Sequence, residues 1–135
     1  MKKASLALAA LLAAALLLVG CSAAFTITSA GNKITIEANN VEDGATAETN
    51  PCSVGKGKAA YVDSSLESGR LKIDFAEATV FRDSESADEV IVGDVVASVT
   101  VGPGEHSELP LERGDYVLQI TAVGSTGGKV TVNIK

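Results

Sequence analysis

The class of fold is decided by the segment Leu71-Lys72-Ile73-Asp74-Phe75, in which apolar and polar residues alternate strictly. The C-terminal segment Lys129-Val130-Thr131-Val132-Asn133-Ile134-Lys135 follows the same pattern. Successive side chains of a β-strand point to opposite faces of its sheet, so a strand with one face in the core has this period of two. Both segments are therefore predicted to be half-buried strands.

The period of two continues through most of the chain beyond residue 32, where no helical stripe is found. Further strands are predicted over residues 33–38, 45–49, 58–62, 79–82, 89–92, 95–101, 108–112 and 115–123. Turn-forming glycine, asparagine and proline residues separate most of them. Many short strands with frequent turns predict an all-β fold, an antiparallel β-sandwich of the immunoglobulin-like or jelly-roll-like kind over residues 33–135.

Three segments allow more local predictions. Val90-Ile91-Val92 and Val95-Val96 are apolar at successive positions, which predicts central strands covered on both faces, with Gly93-Asp94 as a bend or bulge between them. The glycine-rich residues 124–128 are predicted to be the loop of a closing β-hairpin. Tyr116 is expected to be a core aromatic residue; the alternative is a sandwich-corner tyrosine whose hydroxyl binds upstream backbone.

The N-terminus has the order of residues expected of an export signal. Lys2 and Lys3 precede an apolar run over residues 4–19 that is interrupted only by Ser5. A membrane-spanning helix is the alternative, and it needs about 20 apolar residues with charged flanks. This run has 16 residues, and the next charge after Lys3 is Lys33, so a cleaved helical signal peptide is favoured.

The segment Leu18-Val19-Gly20-Cys21, directly behind that apolar run, resembles the lipobox of bacterial lipoproteins. The resemblance implies cleavage between Gly20 and Cys21, a diacylglycerol group on the cysteine sulfur and often a further acyl chain on the freed amine. Residues 1–20 would then be the signal peptide, 21–32 the lipidated cysteine with a short tether, and 33–135 the sandwich. It further implies a lipid-anchored protein on the extracytoplasmic side of the cell membrane or envelope.

Charge agrees with an anchor made of lipid. All 17 acidic residues follow residue 20, whereas two of the 11 basic residues precede it, so the processed chain has a formal charge of −8. Nucleic acid is therefore not an expected partner, because its binding depends on clustered cations. Anionic headgroups also repel such a domain, which leaves acyl chains to hold it at a membrane.

The two cysteines permit two mutually exclusive interpretations. If Cys21 carries lipid, Cys52 has no partner within the chain and is expected to be an inert thiol under a loop. The alternative is a Cys21–Cys52 disulfide, which an exported protein would tolerate.

Residues for catalysis are scarce. The only histidine is His106, in the turn after Pro103-Gly104, and a Ser-His-Asp hydrolase would have to use it. One histidine and one free cysteine also make a zinc site impossible without carboxylates. We therefore expect no enzymatic activity and no cofactor.

One acidic run is a candidate calcium site, because calcium prefers hard oxygen ligands on flexible loops. The candidate ligands are Asp83, Glu85, Asp88 and Glu89. Their spacing does not fit an EF-hand, and a solvated loop between two strands is the alternative.

Together these features predict an envelope lipoprotein with a small non-enzymatic sandwich that binds another protein or has a structural role. A module that binds a small ligand or calcium is one alternative, and an inhibitor of a secreted hydrolase is another. A sandwich serves many purposes, so the fold alone does not decide among them.

Overall fold

The computed structural model describes residues 25–81 and 89–135, which form eight β-strands and no helix. The strands are β1 (Phe25–Ala30), β2 (Lys33–Val41), β3 (Thr46–Glu48), β4 (Cys52–Val54), β5 (Ala59–Phe81), β6 (Glu89–Val101), β7 (His106–Pro110) and β8 (Gly114–Ile134). All the strand pairs are antiparallel, in the order β1-β2-β8-β5-β6, with β3 and β4 on β8 and β7 on β5. The predicted all-β antiparallel fold is confirmed.

Two long strands organise the sheet. β5 has 23 residues and β8 has 21, and they pair from Ala60 opposite Ile134 to Glu77 opposite Tyr116. Register shifts near Ser68 divide this ladder into two halves. One half carries β1, β2 and β7, and the other carries β3, β4 and β6.

The junction between the halves requires a glycine at position 69. Gly69 has a φ of 73°, and a Cβ there would overlap Thr126 Oγ1 and the Ser125 carbonyl oxygen. Thr126 is fully buried, and its hydroxyl lies 3.2 Å from the carbonyl oxygen of Arg70 and 2.9 Å from that of Gly124. The two strands therefore cross at a distance that any side chain on residue 69 would prevent.

The predicted closing hairpin is wrong. β8 runs without reversal through residues 124–128, and the segments on both sides of this stretch pair with β5. Gly124 and Gly128 have φ values of 78° and 123°, and they bend the strand where the sheet passes from one half to the other. The same glycines that favour a turn also permit a sharp bend within a strand.

The two halves share one hydrophobic core, which is the arrangement of a β-sandwich. The first half contributes Ile34, Ile36, Val62, Val130 and Val132, and the second contributes Leu71, Ile73, Phe75, Leu118 and Ile120. All ten side chains are at least 96% buried. The strict alternation of residues 71–75 and 129–135 therefore marks core-facing strands, as predicted.

Tyr116 is a corner tyrosine as well as a core residue. Its ring is 4% exposed, and its hydroxyl donates a hydrogen bond of 2.6 Å to the carbonyl oxygen of Glu112, four residues upstream. The corner, which the sequence left as the alternative, is thus present. It closes the loop that leads from β7 into β8.

The sheet begins close to the proposed lipid site. β1 starts at Phe25 and pairs with β2 along its whole length, within the segment 21–32 that was expected to be tether. Only residues 22–24 separate Cys21 from this first strand. In the described part of the chain no helix is long and apolar enough to cross a membrane.

Candidate interaction surface

Most of the residues predicted for lipidation and calcium binding lie outside the described ranges. These are Gly20, Cys21, Asp83, Glu85 and Asp88. Glu89 is described; it is the first residue of β6 and lies opposite Phe81. Residues 25–81 and 89–135 contain no cluster of three or more histidine, cysteine or acidic side chains able to hold a metal ion. The calcium site therefore stays a prediction.

The only histidine lies on the surface. His106 Nδ1 is 2.7 Å from Asp63 Oδ1, and the two side chains are 73% and 57% exposed. β5 and β7 bring them together, since Asp63 lies directly opposite His106. An exposed pair of this kind contributes little to stability, and it lacks the buried, water-excluding setting that a catalytic dyad needs.

Cys52 occupies the setting expected of an unreactive thiol. It lies on β4 opposite Tyr116 and is partly buried against the core. Burial raises the pKa of the Cys52 thiol above its usual value, and the nearby Asp115 carboxylate raises that pKa further. A raised pKa keeps the sulfur protonated and poorly nucleophilic at neutral pH. The Cys21–Cys52 alternative stays open, because Cys21 lies outside the described residues.

An open polar groove of about 500 Å³ crosses the bend in the sheet. Its walls carry Glu37, Asn40, Glu67 and Lys129, and the backbone of Gly127 and Gly128 contributes to its lining. The groove has no aromatic side chain, and small-molecule sites are usually enclosed and largely apolar. It gives little support to a small-ligand module.

The most unusual surface is a two-stranded extension at the edge of the sheet. The last residue of β5 that pairs with β8 is Glu77, whereas β5 continues to Phe81 and there pairs with β6. Residues 78–81 of β5 and 89–96 of β6 are called the β5–β6 arm below. In the described residues no third strand pairs with β5 beyond Glu77, whereas Val95 of β6 lies opposite Ala76, where β5 still pairs with β8.

The β5–β6 arm exposes large apolar side chains. Six of the seven exposed large hydrophobic residues in the described chain belong to it: Phe81, Val90, Ile91, Val92, Val95 and Val96. Their exposed fractions range from 38% to 51%. Soluble monomers rarely leave so many neighbouring apolar side chains in water unless the surface binds something.

The prediction that Val90-Ile91-Val92 and Val95-Val96 lie centrally is therefore wrong. They belong to β6, the strand at the end of the sheet order, and both faces of this segment meet solvent. An apolar run of this kind shows that both faces are apolar, but it does not show whether the same chain or another molecule covers them.

Exposure affects both faces of the β5–β6 arm. Residues that lie opposite each other in an antiparallel pair share a face, so Val80, Val90 and Val92 lie on one side. Phe81 and Ile91 lie on the other side, together with Thr79. The second face continues the core-facing side of β5, because Phe81 is an even number of residues from Phe75.

In the part of the chain that the structure describes, the charges on and beside the arm are all negative. Glu77, Glu89 and Asp94 are the ionisable residues in the described ranges 76–81 and 89–98, which contain no lysine or arginine. The surface is thus apolar on its faces and acidic along its length.

Comparison with known proteins does not identify the chain. It matches no protein-family model, and it matches no curated protein.

Proposed function

We propose that this protein is an envelope lipoprotein in which acyl chains on Cys21 hold the sandwich at a membrane and the β5–β6 arm binds another protein. The observation that supports protein binding most strongly is the exposure of six apolar side chains along the β5–β6 arm, four of them on its two-stranded part. Apolar surface of this extent gains free energy when a partner removes it from water. No metal, cofactor or catalytic group is part of the proposal.

The lipid anchor is supported by the sequence and by the position of β1. Leu18-Val19-Gly20-Cys21 resembles a lipobox, and the sheet begins only four residues after Cys21, at Phe25. An extended chain spans at most about 3.5 Å per residue, so such a tether would keep the sandwich within roughly 15 Å of its lipid. A partner of the arm would then lie near the same membrane or in the space beside it.

Mass spectrometry of the protein from its own membranes tests the anchor. We expect a chain that begins at Cys21 and carries a diacylglycerol group on the sulfur. The Cys21→Ser variant should keep residues 1–20, because the lipobox depends on the cysteine. Native protein with Met1 present, or with an unmodified Cys21, would contradict the anchor.

Site-specific crosslinking in living cells tests the arm. A photo-crosslinking amino acid in place of Ile91 should capture a protein, since this side chain is 51% exposed on the arm. The matched control is the same substitution at Thr28, an exposed position on the edge strand β1. Equal capture from both positions, or none from Ile91, would contradict binding through the arm.

Inhibition of a secreted hydrolase is a second candidate, and the form of the arm favours it. A narrow acidic ribbon that extends beyond its sheet has a shape that enters a cleft. Under this hypothesis, cells without the protein should show higher activity of an exported hydrolase. Adding the purified protein should lower that activity, and a variant with Ile91→Asp should not.

A further inference from the structure

The geometry points to a partner with a cleft: the β5–β6 arm inserts between two apolar walls whose mouth carries basic side chains. This inference rests on the proposed function, because it specifies the partner of the same arm. The partner is a protein other than a second copy of this chain. Three observations support it, namely two-faced exposure, interrupted strand edges and a charge of one sign.

Two-faced exposure requires a concave partner. Ile91 and Val92 are neighbours in β6 and point to opposite faces, with exposed fractions of 51% and 38%. A flat partner would cover one of them and leave the other in water. The apolar side chains on one face also offer much less area than the roughly 800 Å² that each partner buries in a standard interface. Contact with both faces is needed to approach that area.

The dimensions of such a cleft follow from sheet packing. Stacked β layers lie about 10 Å apart, so an arm between two walls is the middle layer of three. The backbones of the two walls would therefore be roughly 20 Å apart. Two strands side by side are about 5 Å apart, which gives the inserted arm a narrow profile.

Irregularities in β6 disfavour the rival arrangement, in which a partner strand adds to its outer edge. The β5–β6 register shifts twice, once between Phe75 and Ala76 and once between Ala76 and Ala78. The extra residues lie in β6 itself, between Val92 and Ala97, and interrupt there the regular ladder that an added strand would extend, whereas residues 89–92 pair regularly with 78–81. Bulges of this kind protect natural edge strands from pairing. The partner is therefore expected to contact the side-chain faces of the arm.

Charge identifies the mouth of the cleft. Glu77 and Asp94 lie at the base of the arm, Glu89 lies at the outer end of its described part, and the described residues 76–81 and 89–98 contain no cation. A carboxylate that leaves water needs a partner charge, so the rim should present lysine or arginine beside Glu77 and Asp94. A second copy of this chain would bring acid against acid, and anionic lipid headgroups would do the same.

Crosslinking from the two faces tests this inference. Photo-crosslinking amino acids in place of Ile91 and, in a separate strain, Val92 should capture the same protein, with Thr28 as the control position. Peptide mapping should place the two crosslinks on opposing walls of one cleft in that protein, with lysine or arginine at its mouth.

The outcomes separate this inference from the function on which it rests. Capture from only one of the two positions, or crosslinks on one flat face, would overturn insertion while binding through the arm survives. Capture from neither position would overturn both. Capture of a second copy of the chain, or of lipid, would overturn the proposed partner.

A charge introduced on one face provides a second test. The Val92→Asp substitution should abolish capture from position 91, because a carboxylate forced against an apolar wall weakens binding by at least about a hundredfold. The control is Thr28→Asp, which should leave capture intact. Both positions are exposed, so the unfolding temperature should change little and serves as the check on folding. Unchanged capture with Val92→Asp would exclude contact with that face.

Discussion

Phe75 and Phe81 belong to the same strand and the same face of it, yet one is fully buried and the other is 50% exposed. Phe75 meets the opposite half of the sandwich, whereas Phe81 lies on the β5–β6 arm, beyond the last pair between β5 and β8. The same face of one strand thus carries a phenylalanine in two opposite environments, buried in the sandwich and exposed on the arm. Burial depends on whether a second layer lies across from the strand, and not on the strand itself.

The largest expected effect is the difference in unfolding free energy between alanine variants of the two phenylalanines. Phe75→Ala should lower the free energy of unfolding by about 3–5 kcal/mol, because it removes a large buried side chain and leaves a cavity. Phe81→Ala should change it by less than about 0.5 kcal/mol, as exposed positions usually do. Urea unfolding of both variants measures the two free energies of unfolding. Equal losses would mean that the arm is covered within the isolated protein.

The next largest effect is a difference in stability between alanine substitutions at two glycines, one of them at the bend that joins the two halves. Gly69 and Gly31 have similar positive φ values of 73° and 63°, but a Cβ on residue 31 would have no neighbour within 4 Å. Alanine at either position has the same backbone strain, of about 1–2 kcal/mol. Gly69→Ala should cost about 1–3 kcal/mol more, because Thr126 and Ser125 leave no space. Thermal unfolding of the pair checks this, and equal melting temperatures would rule out close contact at the bend.

A smaller effect is expected at the boundary between the body and the arm. Tyr116 lies opposite Glu77, and Tyr116→Phe removes its 2.6 Å hydrogen bond to the Glu112 carbonyl oxygen. The loss should be about 1 kcal/mol. Tyr61→Phe is the control, since the Tyr61 ring lies under Lys135 at the surface, 5.1 Å from its Nζ, and it should cost much less. The Tyr61 hydroxyl interacts with the Glu108 carboxylate at the surface, so a similar cost for both variants would show that the corner hydrogen bond contributes no more than an exposed one.

The smallest expected effect is a difference in alkylation rate between two thiols. Burial raises the pKa of Cys52, so its thiolate fraction at neutral pH is below that of an ordinary cysteine, and its alkylation should accelerate only at higher pH. A cysteine introduced by Val96→Cys, in a Cys52→Ser background, should react several-fold faster at neutral pH, since position 96 is 50% exposed. Peptide mass spectrometry after iodoacetamide treatment measures both rates. A faster Cys52 would contradict its burial.

Much of the body is predictable from residue patterns, because alternation reports a face in contact with the core. The strands around Leu71 and Val130 follow from it directly, and so does the antiparallel class. Alternation does not predict that β5 and β8 are each one continuous strand. Gly69 and the glycines of residues 124–128 are equally suited to turns and to bends, and the choice depends on which strands pair across them.

The sequence pattern identifies the apolar residues of the candidate site, but it predicts a central, covered strand for them rather than an exposed one. Val90-Ile91-Val92 indicates two faces that avoid water, which fits a central strand and a binding ribbon equally well. One further signal was available: the acidic run that includes Asp83 and Asp88 lies directly between Phe81 and Glu89. Seven mostly polar residues between two apolar segments are typical of a loop that joins two strands, and strand residues beside such a loop lie at an end of the strands, where cover by a second layer is least complete.

The sequence by itself determined that the chain forms antiparallel strands, that one face of most strands avoids water, and that the charge is negative. These properties are local, since each depends on a residue and its near neighbours along the strand. Only the tertiary structure decided that β5 and β8 pass through both halves of the sandwich and that the β5–β6 arm extends past its cover. Coverage involves residues far apart in the chain, so an apolar strand face is compatible with a core and with a binding surface.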